Sequence, residues 1–143
     1  MALSNAELVR RVMRELENAK RVWLSPALGD AFFDALPAGA TIDPQPEVVV
    51  LLASRLSARG EIECGDAPRA LRTLVVLARG ATIVRQAIHG PRADRVFSEL
   101  GVLDVTPRGL VLVELAPGVS AADFQEHAEP TLHISPRLSE IGT

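Results

Sequence analysis

The sequence predicts a single α/β domain over residues 1–143: a mostly parallel central sheet covered by helices, with a C-terminal β-hairpin. Three observations predict it. Two β-branched runs, 48–53 and 71–78, call for cover on both faces, as central strands of a parallel sheet do. Helical and strand patterns alternate early in the chain, the order of βαβ units. Near the C-terminus, two apolar runs flank Pro107-Arg108-Gly109, the spacing of a tight hairpin. A length of 143 residues suits one domain.

The first element is a helix. Ser4 and Glu7 have capping-box spacing, so the hydroxyl satisfies one free N–H and the carboxylate another. Leu8, Val9, Val12, Met13, Leu16 and Ala19 then recur at helical intervals, with Arg10, Arg14, Glu17 and Asn18 opposite. A short strand over 21–25 follows, stopped by Pro26. That proline opens a second helix over about 27–36, which Pro37-Ala38-Gly39 ends. Residues 40–43 form a second strand, broken by Pro44 and Pro46. The central strand 47–54 comes next, then a turn at Arg59-Gly60 with a short strand inside 57–63. "CGDAP" is a loop. The second central strand is 71–79, and 81–87 alternates like a strand nearer an edge. Residues 90–100 read as a helix started by proline. The hairpin pairs 102–106 with 110–115, and Gly109 supplies a positive φ to its turn. Ser120 caps a short helix through His127, and 131–135 is a last strand.

Composition narrows the chemistry. Aromatic residues are 3%, with no Tyr and one Trp, so Val, Leu, Ile and Ala build the core. Net charge is −3, with no basic block and no aromatic residues interleaved with Arg, which argues against nucleic acid as a partner. Cys64 is the one cysteine, which rules out an intrachain disulfide and a multi-thiolate metal site. No base or oxyanion donor is placed to make it a nucleophile. His89, His127 and His133 lack metal-ligand spacing and read as solvated or structural. Neither a phosphate-binding loop nor a dinucleotide-binding glycine pattern occurs. Glu114 lies in the second hairpin strand and faces solvent or pairs with an arginine, because an unpaired buried carboxylate is costly. The first residues carry no cleavage signal, and the run 48–53 is too short to span a bilayer. The chain reads as cytoplasmic, with no membrane partner. Val102, Leu110 and Leu112 lack evident cover in so short a chain, which predicts self-association.

The stretch "GVLDVTPRGLVLVELAPGVS" carries more. It resembles the C-terminal signature of the β subunit of class I (3-oxoacid) CoA-transferases. Asp104, Val105, Gly109, Leu110, Glu114, Leu115, Ala116, Pro117, Gly118 and Val119 all match. Upstream, residues 6–43 are similar to the family's first two helices and strands, and 71–105 to the stretch leading into the signature. The resemblance implies a fold of the CoA-transferase, NagB/RpiA-like type. It implies transfer of CoA between carboxylic acids, with no tightly bound cofactor and with coenzyme A or an acyl-CoA as substrate. It implies a homo-oligomer or an α-type CoA-transferase subunit as partner.

The departures from the family lie where its chemistry lies. Family chains are longer, and the segment missing here falls around 43–48. There the family's second strand runs into Ser-Glu-Asn-Gly, whose Glu attacks the acyl-CoA. This chain has "DPQPE". A gapless extension sets Gln45 at the nucleophile's place, and a neutral amide cannot serve as an anionic nucleophile. Glu47 is two residues away, and only a shifted alignment recruits it. Ser25 and Ala27 stand where the first glycine-rich turn is expected, and "CGDAPRA" replaces the second glycine-rich loop. Such loops aim backbone N–H groups at a developing oxyanion. The sequence thus supports two readings. One is a CoA-transferase β subunit with a degenerate active site. The other is a non-catalytic CoA-transferase-like protein acting in assembly, regulation or ligand binding.

Overall fold

A computed structural model describes residues 2–64 and 67–142. The chain begins with α1 (Asn5–Glu15), and its capping box is formed in both directions: the Glu7 N–H donates to Ser4 Oγ, and the Ser4 N–H donates to Glu7 Oε1. Strand β1 (Arg21–Leu24) follows. The single helix expected over 27–36 is instead a 3-10 turn, Pro26–Leu28, and a short α2 (Asp30–Asp34). Gly29 separates them at a φ of 89°, which a right-handed helix cannot accommodate.

Strand β2 (Thr41–Ile42) is brief, and β3 (Val48–Ser57) runs longer than its apolar core. The two strands expected at 71–79 and 81–87 are one, β4 (Arg72–Val84). Gly80, at a φ of 76°, marks a bulge rather than a turn: Ala53 faces Leu77, and Arg55 already faces Thr82. The second half of β4 therefore pairs with β3 and is not an edge. The short strand expected inside 57–63 reduces to one bridge, Glu61 to Arg92.

The helix expected at 90–100 is a strand, β5 (Arg95–Phe97). It fills the slot between β4 and the hairpin, where Val96 and Phe97 are completely buried. A proline-led helical pattern yields to the tertiary slot, since a strand satisfies the ladder groups of both neighbours. The hairpin is β6 (Gly101–Thr106) and β7 (Gly109–Leu115), with Gly109 at a φ of 114° as expected. A short α3 (Ala121–Gln125) carries a second capping box, Ser120 with Asp123, and β8 (His133–Glu140) ends the sheet.

The eight strands form one sheet in the order β2-β1-β3-β4-β5-β6-β7-β8. Neighbours are parallel except at β5–β6 and β6–β7. Alternate residues of β3 and β4 enter two cores. Val50, Leu74 and Val76 pack with Leu8, Val12 and Phe32 beneath α1 and α2. Val49, Leu51, Val75 and Leu77 pack on the opposite face with Leu103, Leu112 and Phe124. Val102, Leu110 and Leu112, for which the sequence shows no evident cover, are 1%, 3% and 0% exposed. Val102 packs in the core beneath α1, and Leu110 and Leu112 pack in the opposite core with Phe124 and Leu132, so they supply no argument for self-association.

Candidate functional site

In open α/β sheets, ligands bind outside the carboxyl ends of the parallel strands. The segment 43–47 does not reach that end. Thr41 and Ile42 lie level with Arg21 and Val22, and β3 starts with Val48 level with Val22. After two residues of β2, the chain turns straight back into β3, and the return stays at the amino ends of the strands.

Gln45 is exposed there; its backbone N–H donates to Asp43 Oδ1 at 2.7 Å, and its carbonyl accepts from Arg21 Nη1 at 3.0 Å. Glu47 holds the start of β1: Oε1 accepts the Lys20 N–H at 3.1 Å and the Arg21 N–H at 3.0 Å. The Arg21 N–H, then the Lys20 N–H, hold its carboxyl below the usual value. A carboxylate stabilised in this way is a weaker nucleophile than a free one.

The carboxyl ends carry different residues. After β1, Ser25 Oγ accepts from the Ala27 N–H at 3.3 Å and so closes a turn on itself. Within the β4 bulge, Arg79 Nη1 lies 3.2 Å from Glu99 Oε2, and Arg79 Nη2 donates to the Leu3 carbonyl. Glu99 Oε2 is buried and has no hydrogen-bond partner, the one such side-chain atom among the described residues. The hollow beside it, bordered by Leu28, Leu52, Ala78, Arg79 and Glu99, holds about 130 Å³. Ligand pockets ordinarily run to roughly 300–1,000 Å³. At the far ends of β3 and β4, Arg55, Glu63, Gln86 and His89 border a polar hollow of about 200 Å³, and Arg55 pairs with Glu63. Motif and spacing do not single out Arg79 or Glu99. Gly80 inside an apolar strand is the available signal, since such glycines mark bulges.

Cys64 is exposed beside this region, and the Gly65-Asp66 that follows it lies outside the described residues. His89, His127 and His133 stand on separate elements, and among the described residues no group of three or more His, Cys, Asp and Glu could hold a metal ion.

The acidic residues of the signature have structural partners. Glu114 meets Arg11 in a bidentate pair, at 2.9 Å from Nε and 2.6 Å from Nη2. Asp104 pairs with Arg95 in the same way, at 2.6 and 3.1 Å. Glu15 joins the two pairs by accepting from Arg11, Arg95 and Arg72 at 2.9, 2.7 and 3.0 Å. Arg11 is 6% exposed and also lies over the Phe97 ring, 5.2 Å from its centre. Of the alternatives for Glu114, the structure selects the arginine pair. The network ties α1 to β4, β5, β6 and β7, on the face of the sheet beneath the helix.

No family model matches this sequence, and no curated protein matches it. Solved structures do. A variant of the decarboxylase AibA/AibB matches with a TM-score of 0.72 and 16% identity, over 98% of this chain and 90% of that one. The acyl-CoA transferase YdiF of Escherichia coli O157:H7, as apoenzyme, matches with a TM-score of 0.72 and 13% identity, over 99% of this chain and 45% of that one. Glutaconate coenzyme A-transferase of Acidaminococcus fermentans matches with a TM-score of 0.70 and 10% identity, over 97% and 89%. The chain has a CoA-transferase-type fold. Identities of 10–16% establish the fold alone. A decarboxylase stands among these structures, so a CoA-transferase-type fold does not by itself specify the reaction. Among the described residues no helix is long and apolar enough to cross a membrane.

Proposed function

We propose that this chain is a non-catalytic CoA-transferase-type subunit, which keeps the fold for assembly with a partner and does not itself transfer CoA. The observation that carries the proposal is the two-residue β2. With so short a strand, the segment that should deliver a nucleophile to the carboxyl ends turns back at the amino ends. It offers Gln45, and a Glu47 already engaged with two backbone N–H groups. The small hollow at the carboxyl ends supports the same reading, because an acyl-pantetheine arm needs more than about 130 Å³. The partner is an α-type subunit or a second copy. The paired name of AibA/AibB supports a two-chain assembly.

The test is direct. The purified chain is incubated with acetoacetyl-CoA and succinate, treated with borohydride and mapped by mass spectrometry. The expected result is no transfer and no CoA-sized adduct. An adduct on Glu47 that disappears in Glu47→Gln overturns the proposal. Sedimentation of the chain alone and with a candidate α-type subunit tests the assembly. A monomer at micromolar concentration rejects self-association, and transfer restored by the partner rejects the non-catalytic role.

One observation favours a second reading, catalysis by a relocated carboxylate. Glu99 stands at the carboxyl end of β5 with a buried, unbonded oxygen and a cation beside it. An adduct mapped to Glu99 in the same experiment establishes that reading instead.

A further inference from the structure

A cavity lies away from the strand ends. It opens on the outer side of α1 and holds about 510 Å³, within the ordinary size range of small-molecule sites. Leu3, Met13 and Ile141 form its floor and are 2%, 7% and 4% exposed. Arg10 and Arg14, one helical turn apart, rise from α1 at its rim.

Arg11 gives the cavity a built polar group. Its side chain is 94% withdrawn from solvent and lines the cavity from beneath. Nε and Nη2 are engaged by Glu114 and Glu15, whereas Nη1 has no acceptor among the described residues. Nη1 is not sealed in protein either, because Glu99 Oε2 is the one buried side-chain atom left without a partner among those residues. A guanidinium held rigidly by two carboxylates thus keeps one donor without an acceptor, on a residue that lines the cavity.

Charge selects the ligand. Three arginines and two glutamates line the cavity, and Arg11 is already answered by Glu114 and Glu15, so Arg10 and Arg14 are the cations left to a ligand. Glu7 is turned away from that balance as an acceptor, since its carboxylate serves the cap of α1. Arg14 has only a distant partner, Glu114 at 3.9 Å, and Arg10 has no ion pair among the described residues. Two guanidiniums without a close partner over an apolar floor fit a single anionic group on an apolar body; a polyphosphate brings several charges and no apolar part. Guanidinium forks match a carboxylate bidentately.

We infer that this cavity binds a monocarboxylate with an apolar chain, its carboxylate between Arg10, Arg14 and the free Arg11 Nη1, its chain on Leu3, Met13 and Ile141. The site is independent of the strand ends, so its failure leaves the non-catalytic reading untouched, and the converse also holds.

The test uses the full chain, isotopically labelled at the methionine methyls and titrated with octanoate, acetate and octyltrimethylammonium. Octanoate should shift the Met13 methyl resonance and saturate. Acetate, lacking the chain, and octyltrimethylammonium, lacking the anion, should each bind about tenfold more weakly or worse. The double variant Arg10→Gln/Arg14→Gln should weaken octanoate by about tenfold or more while keeping the helical circular dichroism, because both side chains are exposed. Equal binding of the cationic probe, an unmoved Met13 signal, or undiminished affinity in the double variant overturns the inference.

Discussion

The hairpin region, β5 to β7, and the return at 41–47 have had opposite fates within one domain. The hairpin carries the residues that resemble the CoA-transferase signature. The return offers Gln45 where that resemblance expects a glutamate, and its strand has two residues. The structure explains the contrast through what each segment touches. Glu114 and Asp104 anchor a network that α1, β4 and β5 all depend on, so a change there is felt throughout the core. Residues 43–45 lie at the surface beside a two-residue edge strand. Losing residues there leaves the two cores intact. A signature can therefore identify a fold while saying nothing about whether its chemistry survives.

The sharpest way to break this contrast is to open the network. Arg11→Met removes the partner of a mostly buried Glu114 and one of three donors to Glu15. Breaking a buried pair from one side costs about 3–5 kcal/mol, and urea denaturation of the variant should show a loss of that order. Adding Glu114→Leu should recover much of it, because the stranded charge goes too. A single variant as stable as the parent would mean that the signature's acidic residues are not what holds it.

The next effect belongs to the turn. Gly109 has a φ of 114°, and a Cβ there would approach nothing closer than 3.8 Å, so strain and not crowding decides the outcome. Gly109→Val should cost about 1–3 kcal/mol, read as a lowered denaturation midpoint. Gly101 is the complementary case. A Cβ there would lie 2.2 Å from the Glu114 carbonyl oxygen, so Gly101→Ala must displace β7. It should lower the midpoint through packing, with no help from φ. An unchanged midpoint for both would contradict the hairpin geometry.

Much of the hairpin, the α1 capping box and the Ser120 cap were legible because their causes are local. Ser4 and Glu7 sit three residues apart, Ser120 directly precedes its helix, and Gly109 closes its turn. The central strands were legible because β-branched runs buried on both faces leave few alternatives. Other features were decided from a distance. Arg95–Phe97 became a strand because β4 and β6 left a slot for one, against its own helical pattern. The helix after Pro26 broke at Gly29, a single residue whose φ no periodicity reveals. The pairing of Arg11 with Glu114 joins residues 103 positions apart. For the candidate site, the sequence singled out Gln45 and Glu47 but not Arg79 and Glu99, which meet only in the folded chain.

The smallest effects compare one glutamate from each region in acid. Burial pushes Glu15 upward, but hydrogen bonds from Arg95 and Arg11 and the charges of both outweigh it, and its carboxyl titrates below the usual 4.5. Glu47 is also lowered, by the N–H groups of Arg21 and Lys20. In both, folding favours the ionised form, so the stabilisation is complete above the unfolded carboxylate's value and is lost as pH falls through the lower, folded one. Melting temperature should therefore hold steady from neutrality to about pH 5 and fall below it. The two residues should share that fall unequally. Glu15 is 11% exposed and answers to three arginines, so Glu15→Gln should remove a visible part of the acid slope. Glu47 sits at the surface, where water competes for the same N–H groups, and the amide oxygen of Glu47→Gln can still accept from both. That variant should melt with the parent at neutral pH and keep nearly all of its acid slope. If Glu47→Gln flattened the slope as much as Glu15→Gln, the return at 41–47 would be as deeply tied into the fold as the hairpin, and the contrast between the two regions would fail.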